Sequence, residues 1–246
     1  MRLETPNTHY YTHDGISFEL ERKRVRNVNL RIRQDGSVYV SAPRRVSLAA
    51  IKQFVSSKRS WILARQRRSQ ERREALPSCW RDGEVICVWG VPHDIVLMED
   101  EHARRGSATC SNGSVLITVN ASHSDDGDAS CAYRARLVDQ LLKEELCAVA
   151  EPLLRKYEQQ IGVHATTIRY RRMKTRWGSC NVKTGAITLN IELAERPPRC
   201  LESVIVHELC HLLEPSHNAH FHTLMDQHYP TWREARKALN ELPPRR

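Results

Sequence analysis

The sequence predicts an α+β protein, with a β-rich N-terminal region that carries a basic helix and a helical C-terminal core that holds a β-hairpin or small sheet. Three observations predict it. Val28-Asn29-Leu30-Arg31-Ile32-Arg33 alternates apolar and polar residues, the period of a half-buried strand. Leu137, Leu141, Leu142, Leu146, Val149, Leu153, Leu154 and Tyr157 recur at helical spacing instead. The last fifty residues carry three further helical patterns, the first led by Leu201, Val204, Ile205 and Val206.

Along the chain, residues 16–42 read as strands. Asp35-Gly36 supplies a turn before Val38-Tyr39-Val40, a hairpin signature, and Pro43 stops it. From Ser47 to about Ala75 the pattern becomes helical (Leu48, Ile51, Phe54, Val55, Trp61, Ile62), with Ser47 as the N-cap and Pro77-Ser78 as the end. This is the basic helix: over residues 65–73, Arg65, Arg67, Arg68, Arg72 and Arg73, with Arg59 nearby, lie against one acid, Glu71. Short strands return at Val85–Trp89, Ile95–Met98 and Val115–Val119, with turns at Gly90 and Asn112-Gly113. Ser122–Ser130, rich in Ser, Asp and Gly, reads as a linker. It gives two domains, 1–125 and 126–246. Ala132–Gln160 is one long amphipathic helix or two, with Pro152 as the place to kink or restart. Ile168–Tyr170 and Ile187–Leu189 are strands around a Trp177-Gly178-Ser179-Cys180 turn, in which Gly178 suits a positive φ. Helices follow at about 199–213, 217–228 and 231–241. No internal sequence repeat is seen.

Charge is unevenly placed. Residues 1–75 hold 17 Lys/Arg against 7 Asp/Glu, and residues 76–246 hold 21 against 22. That excludes a uniformly basic, histone-type protein and leaves a basic front on a neutral body, able to attract phosphates. No run approaches the roughly 18–20 apolar residues of a membrane helix. Met1–Asp14 is polar without an apolar stretch, so the expected compartment is the cytoplasm. The eight cysteines form no CxxC pair and are expected as reduced thiols.

The chemistry lies in His207-Glu208-Leu209-Cys210-His211, an HExxH sequence. On a helix, positions i and i+4 share a face, so both imidazoles can reach one cation. Zn2+ takes imidazole nitrogen in a tetrahedral shell that keeps one position for water. Glu208 is rotated about 100° from His207, which puts it beside that water as general base rather than on the metal. A third ligand is required. His217 follows His211 by six residues, but Glu214-Pro215 stands where a metzincin has its glycine turn. The helix should end near Leu213, with Ser216 capping the next one and His217 in its first turn. His220 and His222 compete for the third place, and Cys180 and Cys210 are conceivable extra ligands. Asp226 and His228 are candidates for acid catalysis or for hydrogen bonds to the ligands.

The stretches Lys174-Thr175-Arg176-Trp177-Gly178-Ser179-Cys180, Gly185–Asn190, Val206–Leu212 and His217-Asn218-Ala219-His220-Phe221 resemble the YgjP-like family of zinc-dependent hydrolases, relatives of the SprT and WLM metallopeptidase-like proteins. The front strand pair and the Trp61-Ile62 helix are similar too, so the resemblance spans about residues 16–240. It implies a zincin-like, gluzincin-type core with His207, His211 and His217 on Zn2+ and Glu208 as base. One departure is His222, where the family tends to have an aromatic residue after Phe221. In zinc peptidases an edge strand before the metal helix pairs with extended substrate, which makes Lys174, Arg176 and Trp177 candidate substrate contacts.

Three functions fit these features. The first is zinc-dependent hydrolysis of a peptide bond. The second is metal-dependent hydrolysis of a nucleoside triphosphate, with Arg169, Arg171, Arg172, Lys174 and Arg176 as phosphate partners. The third is a protease docked on nucleic acid through the basic N-terminal region.

Overall fold

The computed structural model describes residues 8–33, 35–74, 79–102 and 104–241. Two compact units divide between Pro77 and Ser78. In the first, β1 (Thr8–His13), β2 (Ile16–Arg22), β3 (Asn29–Ile32) and β4 (Val38–Ala42) form a sheet of order β1-β2-β4-β3. β2 and β4 run parallel, and the outer pairs are antiparallel. The expected β3–β4 hairpin is present, and the polar segment before Asp14 contributes β1. Helices α1 (Leu48–Ser57) and α2 (Arg59–Glu74) follow, broken at Lys58 where one helix was expected. Ser47 caps α1, its side chain accepting from the Ala50 N–H at 3.2 Å. Ile51, Val55 and Ile62 bury against Phe18, Leu20, Val38 and Val40, which is why the 3.6 and 2.0 periods of the sequence meet on one core. The side chains of Arg68, Arg72 and Arg73, and the helix end at Pro77-Ser78, lie outside the described residues.

The second unit opens with β5 (Val85–Val88), β6 (Val91–Glu99), β7 (Ser107–Ser111) and β8 (Ser114–Val119), in the order β5-β6-β8-β7. The first sheet's topology is thus repeated, with β6 and β8 parallel and the outer pairs antiparallel. The repeat is invisible in the sequence because pairing is made by backbone groups, which many residues can supply. A single helix α3 (Asp128–Ile161) runs 34 residues from the end of the expected linker. Pro152 does not interrupt it: its ring is on the exposed side, while Ala150, Leu154 and Tyr157 bury on the other. Ile95, Val115, Ile117 and Val119 share one core with Val138, Leu142 and Leu146, so a division at residue 125 would cut that core. The strands belong with α3 in the second unit.

β9 (Thr167–Arg171), β10 (Gly178–Asn181) and β11 (Ala186–Asn190) make the third sheet, of order β10-β11-β9. β10 and β11 are the expected hairpin, and Gly178–Cys180 form a strand rather than a turn. The chain continues through α4 (Pro198–Cys210), α5 (Ala219–His228) and α6 (Trp232–Glu241). No helix among the described residues is long and apolar enough to cross a membrane.

Two cysteines depart from expectation. Cys79 and Cys131 form a disulfide, because folding lays the start of the second unit on the first turn of α3. Beside it, Arg134 is fully buried, donating to the carbonyls of Cys79, His123 and Asp125 at 2.8 Å each. Replacing Arg134 with Met would strand those carbonyls. We expect a loss of about 3–5 kcal/mol, read from the urea midpoint.

Candidate metal centre

α4 begins with Pro198 at its first position and is sheathed by buried Leu201, Val204, Ile205, Val206, Leu209 and Cys210. This apolar face fixes the helix, and His207 and His211 leave it on one side, four residues apart. The helix stops at Cys210, a turn earlier than expected, and His211 is its C-cap. The chain reverses through Glu214-Pro215. Asn218, not Ser216, caps α5, its side chain accepting from the Phe221 N–H at 3.0 Å. His217 therefore lies just before α5 instead of inside its first turn.

The reversal returns His217 to α4. Its Nε2 stands 3.0 Å from Nε2 of His207, and one ligand nitrogen from each of His207, His211 and His217 lies within 4.8 Å of the others. Nitrogens sharing a tetrahedral Zn2+ at 2.0–2.1 Å would stand roughly 3.3 Å apart, so the donor set fits this metal. His211 Nδ1–H donates to the Glu214 carbonyl at 3.1 Å, which leaves Nε2 as the atom that could hold a cation. Phe221, almost fully buried, supports all three rings, with centroids 4.9, 4.7 and 4.8 Å from those of His207, His211 and His217. Burial, then the neighbouring His211 and His217, push the His207 pKa down to about 3, and burial also lowers that of His217. Neutral imidazoles are the form a cation needs.

Glu208 is buried beside them. Burial raises its pKa to about 8, against the opposing pull of the Arg176 charge and of the Cys180 backbone N–H, which donates to its carboxylate. Gly178 is the residue that lets β10 come this close. Its φ is not in the left-handed region. A Cβ there would sit 2.6 Å from Glu208 Oε1 and 2.8 Å from Val204 Cγ1. The glycine serves close approach rather than the positive φ expected of it.

Asn190, fully buried, was not singled out by the sequence reading. Its side chain donates to the carbonyls of Met173 and Arg176 at 2.8 and 2.9 Å and accepts from the Met173 and Glu192 N–H groups. Its own N–H donates to the Trp177 carbonyl. The only hint in sequence was a polar residue directly after an apolar strand. We expect Asn190→Ala to free the 173–177 loop and to lower stability by about 2–3 kcal/mol in thermal unfolding.

The other candidates separate clearly. Arg176 is exposed yet acts on Glu208. Trp177 is partly buried against the core, with the Arg196 guanidinium 5.3 Å over its ring. Lys174 is exposed, and no interaction with the cluster is found for it among the described residues. Arg172 is bound by Asp139 and Glu192, and Arg169 and Arg171 alternate outward on β9. His220 lies 3.6 Å from Glu214, and His222 stacks on Trp232 with centroids 5.6 Å apart. That stack fills the place expected to need an aromatic residue. Asp226 accepts from Trp232 and Arg233, and His228 lies beside Gln160. Cys180 and Cys210 are outside the three-residue ligand cluster, and burial raises both thiol pKa values to about 11.

Comparison with known proteins adds to this geometry. The family model described as "YgjP-like, metallopeptidase domain" matches residues 26–242. Among solved structures, the metallopeptidase zymogen abylysin of Pyrococcus abyssi is 22% identical, at a TM-score of 0.36, over 39% of this chain and 96% of its own. The metallopeptidase zymogen jannalysin of Methanocaldococcus jannaschii is 19% identical, at 0.34, over 37% and 94%. No curated protein matches.

Proposed function

We propose that this chain, which belongs to the YgjP-like metallopeptidase family, is a zinc-dependent hydrolase of peptide bonds in which His207, His211 and His217 hold the metal and Glu208 is the general base. The observation that carries the proposal is the convergence of three imidazole nitrogens within 4.8 Å beside a buried carboxylate. When bound, Zn2+ supplies a Lewis acid for the scissile carbonyl and makes water a nucleophile near neutral pH. The rest falls to the protein. Glu208 takes the proton of the attacking water and can return it to the leaving amine. Burial gives its carboxylate a high affinity for that proton, and the Cys180 N–H holds its orientation. Phe221 fixes the ring planes of the three histidines. β10, at the end of its sheet's strand order, offers an edge on which an extended peptide can add. Arg176 and Trp177, on the loop held by Asn190, would then meet that peptide.

Nothing specific favours a nucleotide substrate: of the basic run 169–176, Arg172 is consumed by Asp139 and Glu192. The test offers an unfolded polypeptide and a panel of nucleoside triphosphates to zinc-loaded protein, with Glu208→Gln as blank. Peptide fragments that the variant does not make are expected. Pyrophosphate release without peptide cleavage would overturn the proposal.

A further inference from the structure

We propose that a basic cleft in the first unit, at the C-terminal ends of β2 and β4, binds the phosphate backbone of double-helical nucleic acid without reading its sequence. The cleft has a volume of about 750 Å³ and is lined by Glu21, Arg22, Lys23, Arg24, Arg26, Arg44 and Arg45, with Val25 and Pro43. β2 and β4 are parallel neighbours, and Arg22 pairs with Ala42 at their ends. Two loops therefore leave side by side, the arrangement that makes a crevice beyond the carboxyl ends of parallel strands.

The cleft is built rather than incidental. Arg22 donates to the carbonyls of both Pro43 and Val46 and ties one loop to the other. Lys23 is fixed by Glu21 at 2.9 Å and by the Tyr39 hydroxyl at 2.7 Å. Arg24, Arg26, Arg44 and Arg45 are left exposed, and among the described residues none of the four pairs with a carboxylate. Four guanidinium groups around one hollow concentrate positive potential there, which raises the local concentration of anions.

The repeated sheet shows that this charge is not required by the fold. In the second unit Asp100 donates its N–H to the Val119 carbonyl, as Lys23 does to Ala42, and Glu99 pairs with Val119 as Arg22 does with Ala42. At matched positions Arg22-Lys23-Arg24 is replaced by Glu99-Asp100-Glu101, and Arg44-Arg45 by Ala121-Ser122. One topology thus carries opposite charge in its two copies.

The guanidinium fork matches phosphate oxygens in pairs. Among the described residues no aromatic side chain lines the cleft, so they provide no platform on which single-stranded bases stack. Phosphates already held in register along a duplex are the better fit, and contacts to them carry no sequence information.

The test is fluorescence anisotropy of a labelled random-sequence DNA duplex titrated with the full chain. Four phosphate contacts predict a loss of roughly 10²-fold in affinity from 50 to 200 mM salt. The variant Arg24→Ala/Arg26→Ala/Arg44→Ala/Arg45→Ala should bind at least about tenfold more weakly at 50 mM and lose most of the salt slope. A control removing four charges from α1, α2 and the break between them (Lys52, Lys58, Arg65 and Arg67 to Ala) should keep both. Equal loss in the control would mean a diffuse field and would overturn the cleft. So would a duplex affinity indifferent to salt, tighter binding of the single strand, or equal competition by poly-glutamate of the same charge.

Discussion

Glu208→Gln is expected to lower kcat by about 10³-fold or more while one zinc remains bound per chain. General bases contribute about 10²–10⁴-fold, and Gln keeps the shape and the acceptor for the Cys180 N–H but takes no proton. The metal-free protein should respond in the opposite sense. Between pH 4.5 and about 8 the folded chain keeps a proton on Glu208 that the unfolded chain has lost, so this group's contribution to stability falls as pH rises through that window. His207 works the other way: its folded pKa of about 3 lies below the ordinary 6.5, and stability rises with pH between them. Glu208→Gln removes only the first effect. At pH 8 the metal-free variant should exceed the metal-free wild type by about 3–5 kcal/mol, and at pH 4 the two should coincide. Urea unfolding of chelator-treated protein at both values checks this. Retained turnover, or a variant less stable than wild type at pH 8, would contradict the role given to Glu208.

Gly178→Ala is expected to cost about 10²-fold in kcat/KM and about 1–3 kcal/mol of stability. The added methyl meets Glu208 Oε1, Glu208 Cγ at 2.8 Å and Val204 Cγ1 at 2.8 Å. Either β10 retreats and the Cys180 N–H loses the carboxylate, or the Glu208 side chain swings away from the cluster. Zinc content should not change, because none of the three imidazoles is touched. Val204→Ala added to Gly178→Ala relieves one of these contacts and should recover stability more than activity. A Gly178→Ala protein with full kcat/KM would show that β10 does not position the base.

How much of this the sequence held depended on whether a feature is local. Ser47 as a cap, Asp35-Gly36 as a hairpin turn and the i, i+4 histidines are each set by a few adjacent residues, and each was legible. The break at Lys58 was not, since nothing in Ser56–Ser60 forbids a continuous helix. Pro152 left one helix or two open because its effect depends on which face of α3 it occupies. Cys79 and Cys131, 52 residues apart, meet only through the packing of the second unit. The reach of His217 was suggested by spacing, but the cap at Asn218 and the bond from His211 to Glu214 decide it. Asn190 and Gly178 are the clearest cases of what sequence hides. Their roles lie in a loop and a helix distant in the chain, and neither carries a charge or a ligand atom for the metal to announce it.

Anomalous scattering at the zinc edge from crystals of the zinc-loaded protein tests the centre most directly. A single strong peak is expected 2.0–2.1 Å from one nitrogen each of His207, His211 and His217, with the Glu208 carboxylate near but not on it. A peak that includes Cys180 or Cys210, that omits His217, or that lies away from α4 would contradict the account.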